Sequence, residues 1–231
     1  GLSCLLGVDF SGGIILFNQF LYQIKKEHNR NNANMIILGT SGSGKSTAAK
    51  LILRSHIRNG YQIVAVDPEG EISEMTRMYG GDVVDLGKGG EYGMVNPLEV
   101  IMDADENEIK TGLGYTVLNK TLQSLKAFMK YYAPDIEDDV LTLFSEVVQD
   151  TYARFGITFT SDFTKFTSEQ FPTFSDVYIT VTSKLTSMTE KTHERDVMER
   201  LELKLRPFVR ELQYYFNGHT SINTDSDFLV F

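Results

Sequence analysis

The chain is 231 residues long, 42% of them hydrophobic, with a formal net charge of −9. That is enough for one large domain or a core with a smaller companion, and the acidic balance excludes a dominant nucleic-acid-binding surface while leaving room for a local basic patch. The single cysteine, Cys4, excludes an internal disulfide, fits a reducing compartment and reads as a small apolar strand residue, and no run approaches the ~20 apolar residues of a membrane span.

In chain order, Leu5 to Phe10 and Ile14 to Phe17 flank Ser11-Gly12-Gly13, which predicts a β-hairpin. The polar stretch Asn29 to Asn34 reads as a loop, and the apolar run Met35 to Leu38 as a short buried strand. From Lys45 to about Arg58 the pattern is helical, and Asn59-Gly60 stops it. Ile63 to Val66 is expected as a second buried strand, so that strand, helix and strand form a crossover in a parallel sheet. Val83 to Leu86 is expected as a third strand, followed by a glycine-rich loop from Gly87 to Gly93.

After Asn96-Pro97-Leu98 the periodicity becomes helical. Four helices are expected: about Asp105 to Tyr132, Asp138 to Phe155, Ser175 to Met188 with Ser175 as N-cap, and Glu194 to Phe216. Pro207 is expected to kink the last and Asn217-Gly218 to end it. Phe228 to Phe231 returns to strand character, and a chain beginning at Gly1 and stopping on that apolar run reads as a piece of something longer. The expected organisation is a first core segment at 1–97, an all-α insertion at 98–216 and a return to the core at 217–231.

The strongest chemical signal is Gly39-Thr40-Ser41-Gly42-Ser43-Gly44-Lys45-Ser46, a full match to G-x-x-x-x-G-K-[ST] placed between an apolar run and a helix. Backbone amides of such a loop point at a phosphate, and glycines let the chain approach it closely. The following helix adds about half a positive charge at its N-terminus. Lys45 is expected to reach the β- and γ-phosphate oxygens, the Ser46 hydroxyl to bind magnesium, and Thr47 to lie near the α-phosphate. ATP with magnesium is the expected ligand.

Asp67-Pro68-Glu69-Gly70-Glu71 follows the second strand, at an end where ligands of open α/β sheets gather. Asp67 could order magnesium-bound water, and Glu69 and Glu71 could polarise an attacking water. The plainer alternative is that Asp67 or Glu69 caps a helix starting near Ile72. No later apolar run ending in Asp-Glu supplies a Walker B carboxylate.

Taken together, residues 34–46, the acidic turn 67–71, Asn96-Pro97-Leu98, Phe216-Asn217-Gly218 and Ser226 to Phe231 occur in an order that resembles the VirB-four class of conjugation and type IV secretion ATPases, TraC- and TrbE-like, within the HerA/FtsK-like P-loop superfamily. The resemblance implies a RecA-like P-loop NTPase core of α/β class with a parallel sheet, interrupted by an inserted all-α domain. It further implies a cytoplasmic motor at the inner face of the cell membrane, often hexameric, partnered by secretion channel subunits and coupling ATPases, with DNA contact possible. The family's Walker B carboxylates and arginine finger would lie beyond Phe231.

Two other readings remain open at this level. A small-molecule P-loop kinase would use the helices as a lid carrying arginines, and a nucleotide-gated scaffold would bind ATP without turning it over. Along the last helix Lys191, Arg195, Arg200, Lys204, Arg206 and Arg210 alternate with acids, which reads as a solvated, ion-paired face. His28, His56, His193 and His219 show no metal-ligand spacing.

Overall fold

The computed structural model describes residues 3–21, 32–90, 93–101, 114–223 and 226–231, with only the backbone of 114–116. The chain divides into two compact units. The first comprises Gly1–Val84 and Asn223–Phe231, and the second Asp85–Ile222.

The first unit opens with a hairpin of β1 (Cys4–Val8) and β2 (Ile14–Phe17), paired antiparallel. The turn is set by Asp9, whose carboxylate accepts the amides of Ser11 at 2.8 Å and Gly13 at 2.7 Å. Gly12 at φ 80° supplies the left-handed step that a residue with Cβ resists. The first strand therefore ends at Val8, two residues short of the expected Phe10, because Asp9 already belongs to the turn. Cys4 is buried on β1, and its thiol donates to the Leu51 carbonyl at 3.2 Å.

A three-stranded parallel sheet follows, in the order β3 (Ile63–Ala65), β5 (Phe228–Val230), β4 (Asp82–Val83). The central strand β5 is buried along its whole length, as a strand flanked on both sides must be. Its ladder with β3 continues past the strand ends, through Phe231 N to Ala65 O at 2.9 Å and Asp67 N to Phe231 O at 2.7 Å. Helix α1 (Lys45–Arg58) and the short α2 (Ser73–Met78) complete the unit. Ile63, Phe228 and Val230 form its small core, with Leu53, Ile57 and Met75 packed against them.

Two expectations fail here. Met35 to Leu38 is not a strand, and Ile36 and Leu38 are 82% and 87% exposed. No strand among the described residues pairs with it, and an apolar run without a ladder partner has no reason to hold strand geometry. The strand expected over Ile63 to Val66 is buried on one face only. Ile63 faces the core while Val64 and Val66 are exposed, because successive side chains point to opposite faces.

The second unit is helical. Its main elements are α3 (Gly114–Tyr132), α4 (Asp138–Arg154), α5 (Phe174–Ser187), α6 (His193–Leu205) and the one-turn α7 (Gln213–Phe216). The start of α3 expected near Asp105, like the first half of the Asn-rich run 29–34, lies outside the described residues. The predicted apolar stripes are the core: Leu118, Leu125, Met129, Phe144, Val147 and Leu201 are essentially inaccessible. Three-ten turns at Phe163–Lys165 and Ser168–Gln170 add a Phe163, Phe166 and Phe171 cluster that no helical period announced.

The N-cap of α5 is Thr173, not Ser175. Asp176, three residues into the motif, reaches back to accept the Thr173 amide at 2.8 Å, closing a capping box. Ser175 is instead held by Asn217, whose side chain accepts the Ser175 amide and donates to its hydroxyl, both at 2.8 Å. The single kinked helix expected over Glu194 to Phe216 is three pieces. α6 stops at Leu205, a three-ten turn spans Arg206–Val209 with Pro207 near its start, and α7 follows. Proline lacks the N–H an α-helix would need there and is well placed only in a first turn.

Asn96-Pro97-Leu98 ties the unit together. The buried Asn96 side chain donates to the Pro172 carbonyl at 3.0 Å and accepts the Leu98 amide at 3.1 Å. The Tyr152 hydroxyl donates to the Leu98 carbonyl at 2.6 Å, and burial pushes its pKa well above the ordinary phenol value. The charged face of α6 is largely paired: Arg195 with Glu199, Arg200 with Asp139, Lys204 with Asp135, and Arg206 with Glu202. The guanidinium of Arg206 holds the Glu202 carboxyl below the usual carboxylate range.

Candidate functional site

The loop 39–44 is exposed throughout, and α1 begins directly on Lys45. Gly44 is the N-cap, in the left-handed conformation at φ 88°, and no side chain caps the helix. Gly42 is also left-handed, at φ 76°. Two such residues one apart fold successive amides toward a common concave side, a geometry that receives anions. Ala48 is the first residue to close a helical hydrogen bond, to the Gly44 carbonyl at 2.9 Å. The amides of Lys45, Ser46 and Thr47 are therefore first-turn donors without an acceptor inside the helix.

Gly39 lies close to the far end of the loop. A Cβ there would stand 2.4 Å from the Ser43 hydroxyl oxygen and 3.3 Å from Lys45 Cγ. A side chain at Gly39 would need the Ser43 hydroxyl to turn away and Lys45 to give slightly. The Lys45 side chain folds back over the loop, and its ammonium donates to the Thr40 carbonyl at 2.8 Å. Ser46 and Thr47 present their side chains to solvent on the first turn of α1. The cradle thus fits a phosphate group: free amides, no Cβ obstructing the turn, one ammonium and two hydroxyls.

The acidic turn is built differently. The Asp67 carboxylate accepts the Ile72 amide at 2.7 Å, and its carbonyl accepts from Gly70 at 3.0 Å. Asp67 therefore fixes the turn that leads into α2, but neither Asp67 nor Glu69 is its cap: the N-cap is Ile72, and no side chain caps the helix. Glu69 and Glu71 are exposed. Among the described residues no hydrogen bond or ion pair joins the phosphate loop to this turn, and none gathers His, Cys, Asp or Glu into a metal-binding cluster. Asp67→Ala is expected to cost about 1 kcal/mol of stability through the lost hydrogen bond to the Ile72 amide. A urea denaturation series would measure it, and an unchanged midpoint would mean that this bond does not hold the turn.

Residues 31–228 match the family described as helicase HerA, central domain (DUF87), which spans most of the chain, so the chain belongs to that family. Among solved structures it is similar to VirB4 of Thermoanaerobacter pseudethanolicus, with a TM-score of 0.80 and 28% sequence identity. The match covers 99% of this chain and 56% of the VirB4 chain, so this chain spans little more than half the length of that structure. Among curated proteins no sequence matches. Fold and family together define a mixed α/β protein of the VirB4/HerA P-loop type with a parallel sheet. Among the described residues no helix is long and apolar enough to cross a membrane.

Proposed function

We propose that this chain is the ATP-binding part of a type IV secretion or conjugation motor, whose turnover drives pilus assembly or the transfer of DNA or protein. The observation that carries the nucleotide assignment is the loop 39–47, with left-handed glycines at 42 and 44 opening directly onto the first turn of α1. In this reading Lys45 leaves the Thr40 carbonyl to neutralise the β- and γ-phosphate oxygens, the amides of 42–47 hold the phosphates, and the Ser46 hydroxyl holds magnesium. Magnesium, when bound, offsets the charge that develops on the transferred phosphoryl group. Asp67 would orient the metal's water from the end of β3, and Glu69 and Glu71 would act on the attacking water.

The family match and the likeness to VirB4 support the motor reading. On it, the helical unit is an insertion in a RecA-like core, and the intact protein assembles as a hexamer beside channel subunits and coupling ATPases. Its place is the cytoplasmic side of the inner membrane. Against the kinase alternative, Arg195, Arg200 and Arg206 of the helical unit are paired with carboxylates rather than left for a second substrate.

The test is phosphate release from ATP by the intact protein, measured beside equilibrium ATP binding. Magnesium-dependent release is expected. Binding without release would replace the motor with a nucleotide-gated scaffold, phosphoryl transfer to a nucleoside or sugar would revive the kinase, and absence of binding would end the nucleotide reading.

A further inference from the structure

Helix α1 carries Lys45, Lys50, Arg54 and Arg58 and no carboxylate, in a chain whose net charge is −9. Lys50, Arg54 and Arg58 follow at four-residue steps, so they share a face about 6 Å apart along the axis. Like charges at that spacing repel. Among the described residues none of the three has a carboxylate partner or a hydrogen bond. The arginines of α6, by contrast, are ion-paired.

The ordinary explanation for Arg58, that it finishes the helix by bonding its last carbonyls, does not apply. The Ser55 and His56 carbonyls accept from the Asn59 amide, Ile57 from Gly60 and His56 from Tyr61, while Asn59 Nδ2 donates to the Ser55 carbonyl at 2.7 Å. Arg54 and Arg58 instead line a pocket of about 480 Å³ together with Ser3, Ser55 and Asn59. Cys4, also on its wall, has its thiol committed to the Leu51 carbonyl.

We propose that Arg54 and Arg58 form a second phosphate site, which holds one phosphate group between two guanidinium groups, with the Ser3 and Ser55 hydroxyls as further donors. Guanidinium forks match phosphate oxygens in pairs, which a lysine ammonium cannot do. The site stands at the opposite end of α1 from the phosphate loop, with Arg54 about 14 Å along the axis from Lys45. It does not depend on the nucleotide assignment. The group bound is either free phosphate or one phosphate of a nucleic-acid strand.

The first arm titrates inorganic phosphate into the intact protein by calorimetry. Affinity is expected to fall at least tenfold in Arg54→Ala/Arg58→Ala, to persist in Lys45→Ala, and to be intermediate in Arg54→Lys/Arg58→Lys. Both arginines are exposed, so the far-UV circular dichroism of each variant is expected to match the parent. Equal phosphate affinity in the double alanine variant, or binding that vanishes with Lys45 alone, would overturn the site. The second arm follows a labelled single-stranded oligonucleotide by anisotropy across a salt series. If the strand is the source, the double variant binds more weakly and its salt slope is shallower by about 0.7, the share of one phosphate. An unchanged slope beside lost phosphate binding assigns the site to free phosphate.

Discussion

Lys45→Ala is expected to lower ATP turnover by the intact protein by about 10²–10³-fold, the scale of removing one charge-stabilising donor from a reacting centre. In this structure the ammonium makes one hydrogen bond, to the Thr40 carbonyl within its own loop. Its removal therefore unpairs no distant element. Alanine is also the better helix former at the first position of α1. Loss of turnover without loss of the helical signal would separate a chemical role from a structural one. Phosphate release at saturating ATP, beside circular dichroism, is the measurement. An unchanged rate would remove Lys45 from the chemistry and with it the motor reading.

Phe208→Ala is expected to cost about 3–5 kcal/mol in the helical unit, the range for emptying a fully buried aromatic site. Phe208 is 0% exposed and stacks on Phe174 with centroids 4.3 Å apart and planes at 15°. Tyr132 lies 4.6 Å from it and Phe128 5.7 Å, so one ring joins α3, α5 and the three-ten turn. The site cannot collapse easily, because Pro207 fixes the backbone that presents it and rigid rings form the walls. Phe208→Leu, which keeps most of the volume, is expected to lose less than half as much. Urea denaturation of the two variants measures the difference, and equal small losses would mean that the aromatic cluster is not a structural centre.

The phosphate loop was legible because its chemistry is local. Eight consecutive residues and the helix they open state their own geometry, and Gly42 and Gly44 stand where the turn needs them. The helices over 45–58 and 138–154 were legible for a similar reason, since their apolar period and their stops lie within the segment. Met35 to Leu38 failed because a strand is made by its neighbour, which the run itself does not contain. Thr173 was passed over for Ser175 because both are good caps, and only the reach of Asp176 distinguishes them. Asp67 carried two readings from its place between a strand and a helix, and its bond to the Ile72 amide is a contact that the sequence did not state. The unpaired state of Arg54 and Arg58 could not be read at all, since ion pairing is a property of the assembled surface.

The placement of β5 between β3 and β4 has a consequence for biosynthesis. On the ribosome, both outer members of that ladder emerge long before the segment that must slot between them, with the entire helical unit translated in the interval. Residues 85–222 are contiguous and hold their own apolar interior, so they can condense as they appear. The unit that holds the parallel sheet must wait, its Ile63 unshielded, until Phe228 to Val230 clear the exit tunnel. A nascent chain stalled before that point would be a ready client for holdase chaperones.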